Sequence, residues 1–333
     1  MKGYLRLLIV VSVALIVIGV VTWRRTHRRP QPAQPQANAS AIHLRIGYIP
    51  IVECAHLYVG INRKYFQEEG IHIELQPMKG GAVIIPALQT GDLDVGFANV
   101  VSLIATNSTL ERDAPRALKA LVGASYERPE NLNHGLLVKT ASAITIQDLV
   151  RNDIKIAVNT TRNIEDLMLR RFLRAKGVDD SRLNLLTMGF PDMLPALDRG
   201  DIDVASVVEP FIQPALRTGK YRLLANQYIE VSKETAVATY ACTNKWLQEH
   251  PDAAARFSRA FMHANEFIKT NDVEAREIIG SFTRIRKEDL SIIGIPAFES
   301  SVKPDSLREL SHEMLQFGFI KSEPDVAAML HTP

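Results

Sequence analysis

The chain has 333 residues, 39 Lys and Arg against 37 Asp and Glu, a formal net charge of +2, and 46% hydrophobic and 23% charged residues. That composition excludes a disordered chain, and the lack of a basic run in its body excludes nucleic acid, whose phosphates need clustered Lys and Arg. The average joins two unlike segments: up to Ala41 the basic residues Lys2, Arg6, Arg24, Arg25, Arg28 and Arg29 meet no acid before Glu53, so the leader is about +6 and the rest about −4.

Leu7 to Trp23 is uncharged. As a helix rising about 1.5 Å per residue it covers roughly 26 Å, just short of a bilayer core, so it spans with little tilt. Tyr4 and Trp23 stand at its ends, and Lys2 and Arg6 form a positive start. The expectation is a signal anchor or signal peptide over residues 1–29, the membrane helix taken as residues 5–23, followed by a Pro/Gln/Ala-rich tether over 30–41. Small-residue cleavage sites at Ala37-Asn38-Ala39 and Ala39-Ser40-Ala41 lie far beyond the apolar run, which favours an uncleaved anchor. The four arginines after the span favour a cytoplasmic body by the positive-inside rule. The family resemblance described below overrides that preference.

The roughly 290 residues after Ala41 exceed a usual single domain, so two lobes are expected. His43 to Tyr48 alternates as a strand, His56 to Glu69 carries apolar residues at helical spacing up to Gly70, and Ile71 to Leu75 is a second strand. Gly80-Gly81-Ala82 opens a helix closed by Gly91, and Leu93 to Ala98 is a buried strand. The same alternation returns at Lys155 to Val158, Ile164 to Lys176, Leu183 to Leu186, Pro191 to Asp198 and Ile202 to Val207. This order predicts parallel or mostly parallel sheets flanked by helices. The stretches Pro251 to Asn271, Val273 to Phe282, Lys287 to Leu290 and Pro304 to Gly318 are expected to be helical.

An internal near-repeat is the most informative feature. Pro86-Ala87-Leu88-Gln89-Thr90-Gly91-Asp92-Leu93-Asp94-Val95 returns as Pro195-Ala196-Leu197-Asp198-Arg199-Gly200-Asp201-Ile202-Asp203-Val204. Each copy reads as a helix ended by a left-handed Gly, then an Asp-x-Asp turn into a buried strand, which makes the aspartates structural.

Gly47-Tyr48-Ile49-Pro50-Ile51-Val52-Glu53-Cys54-Ala55, a helix ending Lys64-Tyr65-Phe66-Gln67-Glu68-Glu69-Gly70-Ile71, the two helix-Gly-Asp-x-Asp elements, Val208-Glu209-Pro210-Phe211 and Trp246 to Pro251 together resemble a known family. It comprises the periplasmic substrate-binding proteins of ABC importers for nitrate, bicarbonate, sulfonates, taurine and the thiamine pyrimidine precursor. The resemblance runs from about Leu44 to Gln316. It implies an α/β, two-lobed periplasmic-binding-protein (type II) clamp with two crossover strands. Lobe 1 would span 42–127 plus 229–333 and lobe 2 135–224, with crossovers near Ser125 to Gly135 and Tyr228 to Cys242. It further implies an extracytoplasmic monomer, held at the inner membrane by its leader, that closes around a small polar solute and delivers it to importer permease subunits. A nitrate-, sulfonate- or taurine-like anion is favoured. A pyrimidine or other heterocycle, or a membrane-tethered sensor role, remains the alternative.

Ligands of open α/β sheets sit beyond the carboxyl ends of the strands. The loops there offer Glu53, His56, Gly81, Ala82, Asn99, Ser102, Tyr126, Thr160, Thr161, Arg162 and Glu209 as ligand-binding candidates. Helix starts at Gly81-Ala82 and Thr160-Thr161 suit an anion or polar acceptor, although threonines there also serve as plain caps. The planar fork of Arg162 fits an oxyanion or stays solvated. Glu53 and Glu209 repel an anion unless paired and suit an amine or protonatable heterocycle, and Glu209 can instead neutralise Arg162. Asn99 and Ser102 offer neutral hydrogen bonds, and His56 reads more readily as a helix-start residue than as a contact.

Cys54 and Cys242 can pair in an oxidising compartment, a matter of geometry that spacing does not decide. Nine histidines without close pairs give no metal site, and no cofactor is expected. Without a Gly-x-Ser-x-Gly, a phosphate loop, a His-Glu-x-x-His or a cysteine-rich cluster, catalysis is not expected.

Overall fold

A computed structural model describes residues 41–331. The predicted span and the tether up to Ser40 lie outside the described residues. No helix among the described residues is long and apolar enough to cross a membrane.

The chain begins with β1 (Ile42–Tyr48), the short helices α1 (Ala55–Asn62) and α2 (Tyr65–Glu68), β2 (Ile71–Pro77), α3 (Gly81–Thr90), β3 (Val95–Asn99), α4 (Val100–Asn107) and β4 (Leu118–Glu127). Next come β5 (His134–Lys139), β6 (Lys155–Val158), α5 (Ile164–Ala175), β7 (Asn184–Thr187), α6 (Phe190–Arg199), β8 (Val204–Val208), α7 (Gln213–Arg217) and β9 (Tyr221–Ala225). It closes with β10 (Thr235–Thr243), α8 (Asn244–Glu249), α9 (Pro251–Thr270), α10 (Asp272–Thr283), β11 (Ala297–Glu299) and α11 (Pro304–Gln316). The helix expected over His56 to Glu69 is broken in two because Lys64 adopts a left-handed conformation, with φ 65°. The C-terminal part, expected to be helical, also contributes β11.

Two sheets result, ordered β11-β4-β10-β3-β1-β2 and β7-β6-β8-β5-β9. Both are mixed, which corrects the expectation of mostly parallel sheets. The core strands β1, β2 and β3 are parallel, as are β6, β7 and β8, while β10 runs antiparallel to β3 and β4, and β5 runs antiparallel to β8 and β9. The chain passes from the first sheet to the second between Glu127 and His134 and returns between Ala225 and Thr235. Strands at the middle of a sheet are apolar on both faces because both faces are covered: every residue of β10 and of β8 is buried.

The near-repeat has a shared physical role. Gly91 and Gly200 end α3 and α6 at φ 83° and 81°, where a side chain would be strained. The second aspartate of each turn then ties the strand it starts to its parallel neighbour. Asp94 accepts from Arg45 N at 2.8 Å and Asp203 accepts from Lys155 N at 2.9 Å. Asp94 also takes the Arg45 guanidinium, a bidentate pair.

Cys54 and Cys242 are both free thiols, each buried in the first lobe, so the pairing considered from sequence is not formed.

Candidate functional site

The loops at the carboxyl ends of the parallel strands of both sheets converge on one cleft. Its floor is a small cavity of about 30 Å³ lined by Glu53, Phe97 and Asn99 from the first lobe and His134, Asn159, Asn163 and Glu165 from the second. Two wider openings lead off it between the lobes. One, of about 260 Å³, is largely apolar, with Ile49, Pro50, Met78, Phe190 and Phe211 on its walls beside the charged Lys79 and Asp192. The other, of about 380 Å³, is formed by Gly80, Ala82, Asn159, Thr160 and Gly189.

The floor is built around His134, which is buried at the start of β5. Its Nδ1 is 3.0 Å from Glu127 Oε2, and its Nε2 is 3.6 Å from Glu53 Oε1 and 3.5 Å from Glu165 Oε1. Burial opposes charge on the ring, but the carboxylates of Glu127, Glu165 and Glu53 overcome it and push its pKa up to about 10. Tyr228 stacks against the imidazole at 4.2 Å between centroids.

The three carboxylates are satisfied unequally. Glu127 accepts from the backbone N–H groups of Asn133 and His134 and from Asn226 Nδ2. Glu165 accepts from the Tyr228 hydroxyl at 2.7 Å, the Ser206 hydroxyl at 2.7 Å and Gln227 Nε2 at 3.2 Å. Glu53, only 5% exposed, has Ser125 Oγ at 3.4 Å as its sole hydrogen-bond donor among the described residues. Burial accordingly raises the Glu53 pKa to about 7, with His134 working in the other direction.

Most of the remaining sequence candidates also face the cleft. Asn99 caps α4 by accepting from Ser102 N at 2.9 Å. Gly81 sits over that pair, since a Cβ there would meet Asn99 Nδ2 and Ser102 Oγ, each at 3.5 Å. Thr160 lies across the cleft from the start of α3, because a Cβ on Gly80 would meet its Oγ1 at 3.4 Å. Thr161 is exposed beside it.

Four candidates are placed differently. His56 points into the first lobe's core, stacked on Phe261 at 4.2 Å and edge-on to Phe298 at 4.0 Å. Burial there drives its pKa down to about 3, so it is a neutral core residue. Tyr126 turns to the C-terminal segment, where its hydroxyl accepts from Lys303 N at 2.8 Å.

Arg162 is held at φ 56° by a bond from its own N–H to Asp166, and its guanidinium donates to the Gly318 and Phe319 carbonyls while lying 5.1 Å over the Phe319 ring. The expected oxyanion fork is therefore engaged with the far end of the chain. Glu209 neither faces the open cleft nor meets Arg162. It is buried and accepts from the N–H groups of Ile212, Gln213 and Gly294, and burial still raises its pKa to about 7.

Sequence reasoning missed Glu127, His134, Glu165 and Phe190. Glu165 reads as an ordinary acidic residue in a first helical turn, and His134 lies in a connection whose role depends on long-range packing. No group of three or more His, Cys, Asp or Glu able to hold a metal occurs among the described residues.

Comparison with known proteins gives this geometry a context. Residues 37–281 match the model described as the NMT1-like family. The chain is 23% identical over 235 residues to a nitrate import ATP-binding protein of Synechococcus elongatus, covering 67% of this chain and 35% of that one. It is 22% identical over 256 residues to a bicarbonate-binding protein of Synechococcus, covering 71% and 56% respectively. It thus spans about a third of the first relative's length and little over half of the second's. The solved structure of a periplasmic nitrate-binding protein from Synechocystis superposes with a TM-score of 0.71 at 14% identity, covering 88% of this chain and 86% of that one. At that identity the likeness shows the fold.

Proposed function

The chain belongs to the NMT1-like family, and from that premise we propose that it is an extracytoplasmic solute-binding protein that captures a small polar solute between its two lobes and delivers it to an ABC importer. The observation that carries this reading is the cleft floor, whose polar side chains come from both sheets and meet only when the lobes are together. Nitrate import and bicarbonate binding, named for the relatives, support a small polar solute.

Lobe 1 is taken as 42–127 plus 229–333 and lobe 2 as 135–224, each holding one sheet. The connections at 127–134 and 225–235 act as the hinge, and closure couples ligand capture to recognition by the permease. The leader, with its apolar run and flanking arginines, anchors the body at the inner membrane facing the periplasm. The protein works as a monomer and catalyses no reaction.

Small-angle scattering and thermal unfolding, with and without candidate solutes, test this. A true ligand at about 100 times its dissociation constant adds about 2.7 kcal/mol of stability and compacts the molecule. A stabilising ligand that leaves the radius of gyration unchanged and binds equally well to a lobe-2 cleft variant such as Asn163→Ala would defeat the two-lobe capture reading.

A further inference from the structure

Among the described residues, the floor of the cleft gathers more acidic than basic side chains. Three buried carboxylates, Glu53, Glu127 and Glu165, surround the single imidazole of His134. Glu127 and Glu165 are closed off by donors on both oxygens. Glu53 is not: its Oε1 leans on Ser125 and His134 at 3.4 and 3.6 Å, and its second oxygen has no hydrogen-bond partner among the described residues. Leaving a carboxylate buried and half-satisfied is costly unless a cation or a proton completes it. No Lys or Arg among the described residues lines this cavity, and Arg162 is engaged elsewhere.

Size and surroundings narrow the occupant. A space of about 30 Å³ takes one or two water-sized groups, which suits an ammonium head. Ile49, Ile51 and Phe190 line both this space and the apolar opening of about 260 Å³, so a ligand whose head reaches Glu53 lays its body against Pro50, Met78, Phe190 and Phe211. Lys79 and Asp192 also line that opening, of opposite charge, so its walls are mostly apolar with a few charged groups, the usual design of a site that orients an amphipathic small molecule.

We propose that the ligand of this cleft carries a protonated amine, seated on the free side of Glu53 at the cleft floor, and an apolar body lodged between Ile49, Met78, Phe190 and Phe211. The proposal rests on the reading of the interlobe cleft as the ligand site. It predicts weaker binding of simple inorganic anions than of amines, because an anion on the floor would face Glu53 and Glu165, while Lys79 lines the two openings and not the floor.

A matched set of probes with one body and different heads decides the question: phenethylamine, 3-phenylpropionate and 2-phenylethanol, with nitrate as an inorganic anion, measured by calorimetry on the full chain and on Glu53→Gln and Gly80→Trp. Gln keeps the volume of Glu, and the unliganded unfolding midpoint of each variant shows that it is folded. Trp at position 80 wedges against Thr160 and props the cleft open.

The expected result is that phenethylamine binds in preference to the other three, loses about 30-fold or more in affinity in Glu53→Gln, and loses binding in Gly80→Trp. Tighter binding of phenylpropionate or nitrate, abolished by Gly80→Trp and unharmed by Glu53→Gln, overturns the amine assignment while the cleft stands. Binding of none of the set also overturns the assignment. Binding indifferent to Gly80→Trp overturns the cleft reading itself.

Discussion

Glu53 Oε1 and His134 Nε2 stand 3.6 Å apart, one at the first helical turn after β1 and the other at the first residue of β5, so that an acid of the first lobe faces a base of the second at the bottom of the cleft. Neither sheet alone places both groups. The electrostatics of the site therefore depend on the lobes being together, and variants of the surrounding residues read out that dependence.

The buried titratable groups set the pH dependence of the unliganded protein. Burial raises Glu53, Glu209 and Glu313 from 4.5 to about 7, and neighbouring carboxylates raise His134 from 6.5 to about 10 in spite of its burial. All four hold their protons more tightly folded than unfolded, whereas His56, lowered from 6.5 to about 3 by burial, works the other way and loses stability only as pH falls below about 6.5, one group against the three glutamates. The glutamate contribution is thus present below about pH 4.5 and lost as pH rises through about 7, and that of His134 is present below about 6.5 and lost toward about 10. Urea midpoints should fall steadily from about pH 5 to about pH 10, and Glu53→Gln should flatten the lower half of the curve. A midpoint that rises with pH across this window would contradict the assignment.

Glu127 is the carboxylate that fixes His134. Its replacement in Glu127→Gln leaves the imidazolium buried against weaker partners and is expected to cost about 3 kcal/mol or more. Equilibrium denaturation near pH 7 measures this. A loss under about 1 kcal/mol would mean that Glu165 and Glu53 suffice to hold the charge.

Arg162→Ala removes two hydrogen bonds to the Gly318 and Phe319 carbonyls and the stacking on Phe319. The expected result is a stability loss of about 1–3 kcal/mol, with the affinity of a cleft ligand essentially unchanged. Paired thermal and calorimetric titrations separate the two effects, and a large affinity loss at unchanged stability would return Arg162 to the ligand site.

His56 sits neutral between Phe261 and Phe298, and the Asn265 side chain bears on its ring in a geometry too poor to satisfy either partner fully. His56→Leu removes two poorly satisfied buried polar atoms at the cost of a weak contact with Asn265, and is expected to change stability by no more than about 1 kcal/mol, without altering ligand affinity. The unfolding midpoint and one ligand titration check both halves.

Two glycines at positive φ should respond to alanine differently. Gly200, at φ 81°, has nothing near a built Cβ, so Gly200→Ala should cost only the backbone strain of about 1–2 kcal/mol. At Gly123, φ 71°, the Cβ would clash with the Phe261 ring, and Gly123→Ala should cost clearly more because the α9 ring must move. Equal losses would show that the core around Phe261 yields freely.

Local signals were strong enough to be read from the sequence. The Gly-Asp-x-Asp repeat announced two equivalent helix-to-strand turns, because left-handed glycines and strand-starting aspartates follow from near neighbours. Asn99, Gly81 and Thr160 lie at the cleft because loops after parallel strands point there whatever the rest of the chain does. The mixed character of the sheets was not legible, since β4, β5, β9 and β10 acquire their direction from partners far away in sequence. His56 and Arg162 were misplaced for the same reason: one is turned inward by Phe261 and Phe298 and the other is captured by Phe319, contacts made from 150 or more residues away.

What the sequence determined by itself is the alternation of strands and helices and the absence of a basic run in the body, which depend on residue type and short-range spacing, while the expectation of two lobes came from length and resemblance. What only the tertiary structure decided is the charge of the cleft. Glu53 and His134 are separated in sequence by three strands of the first sheet, and Glu127, Glu165 and Tyr228 come from β4, α5 and the connection after β9. Whether a carboxylate is paired, protonated or open to a ligand depends on distances of a few ångströms in a low-dielectric interior, and those distances arise only when both lobes have folded and met.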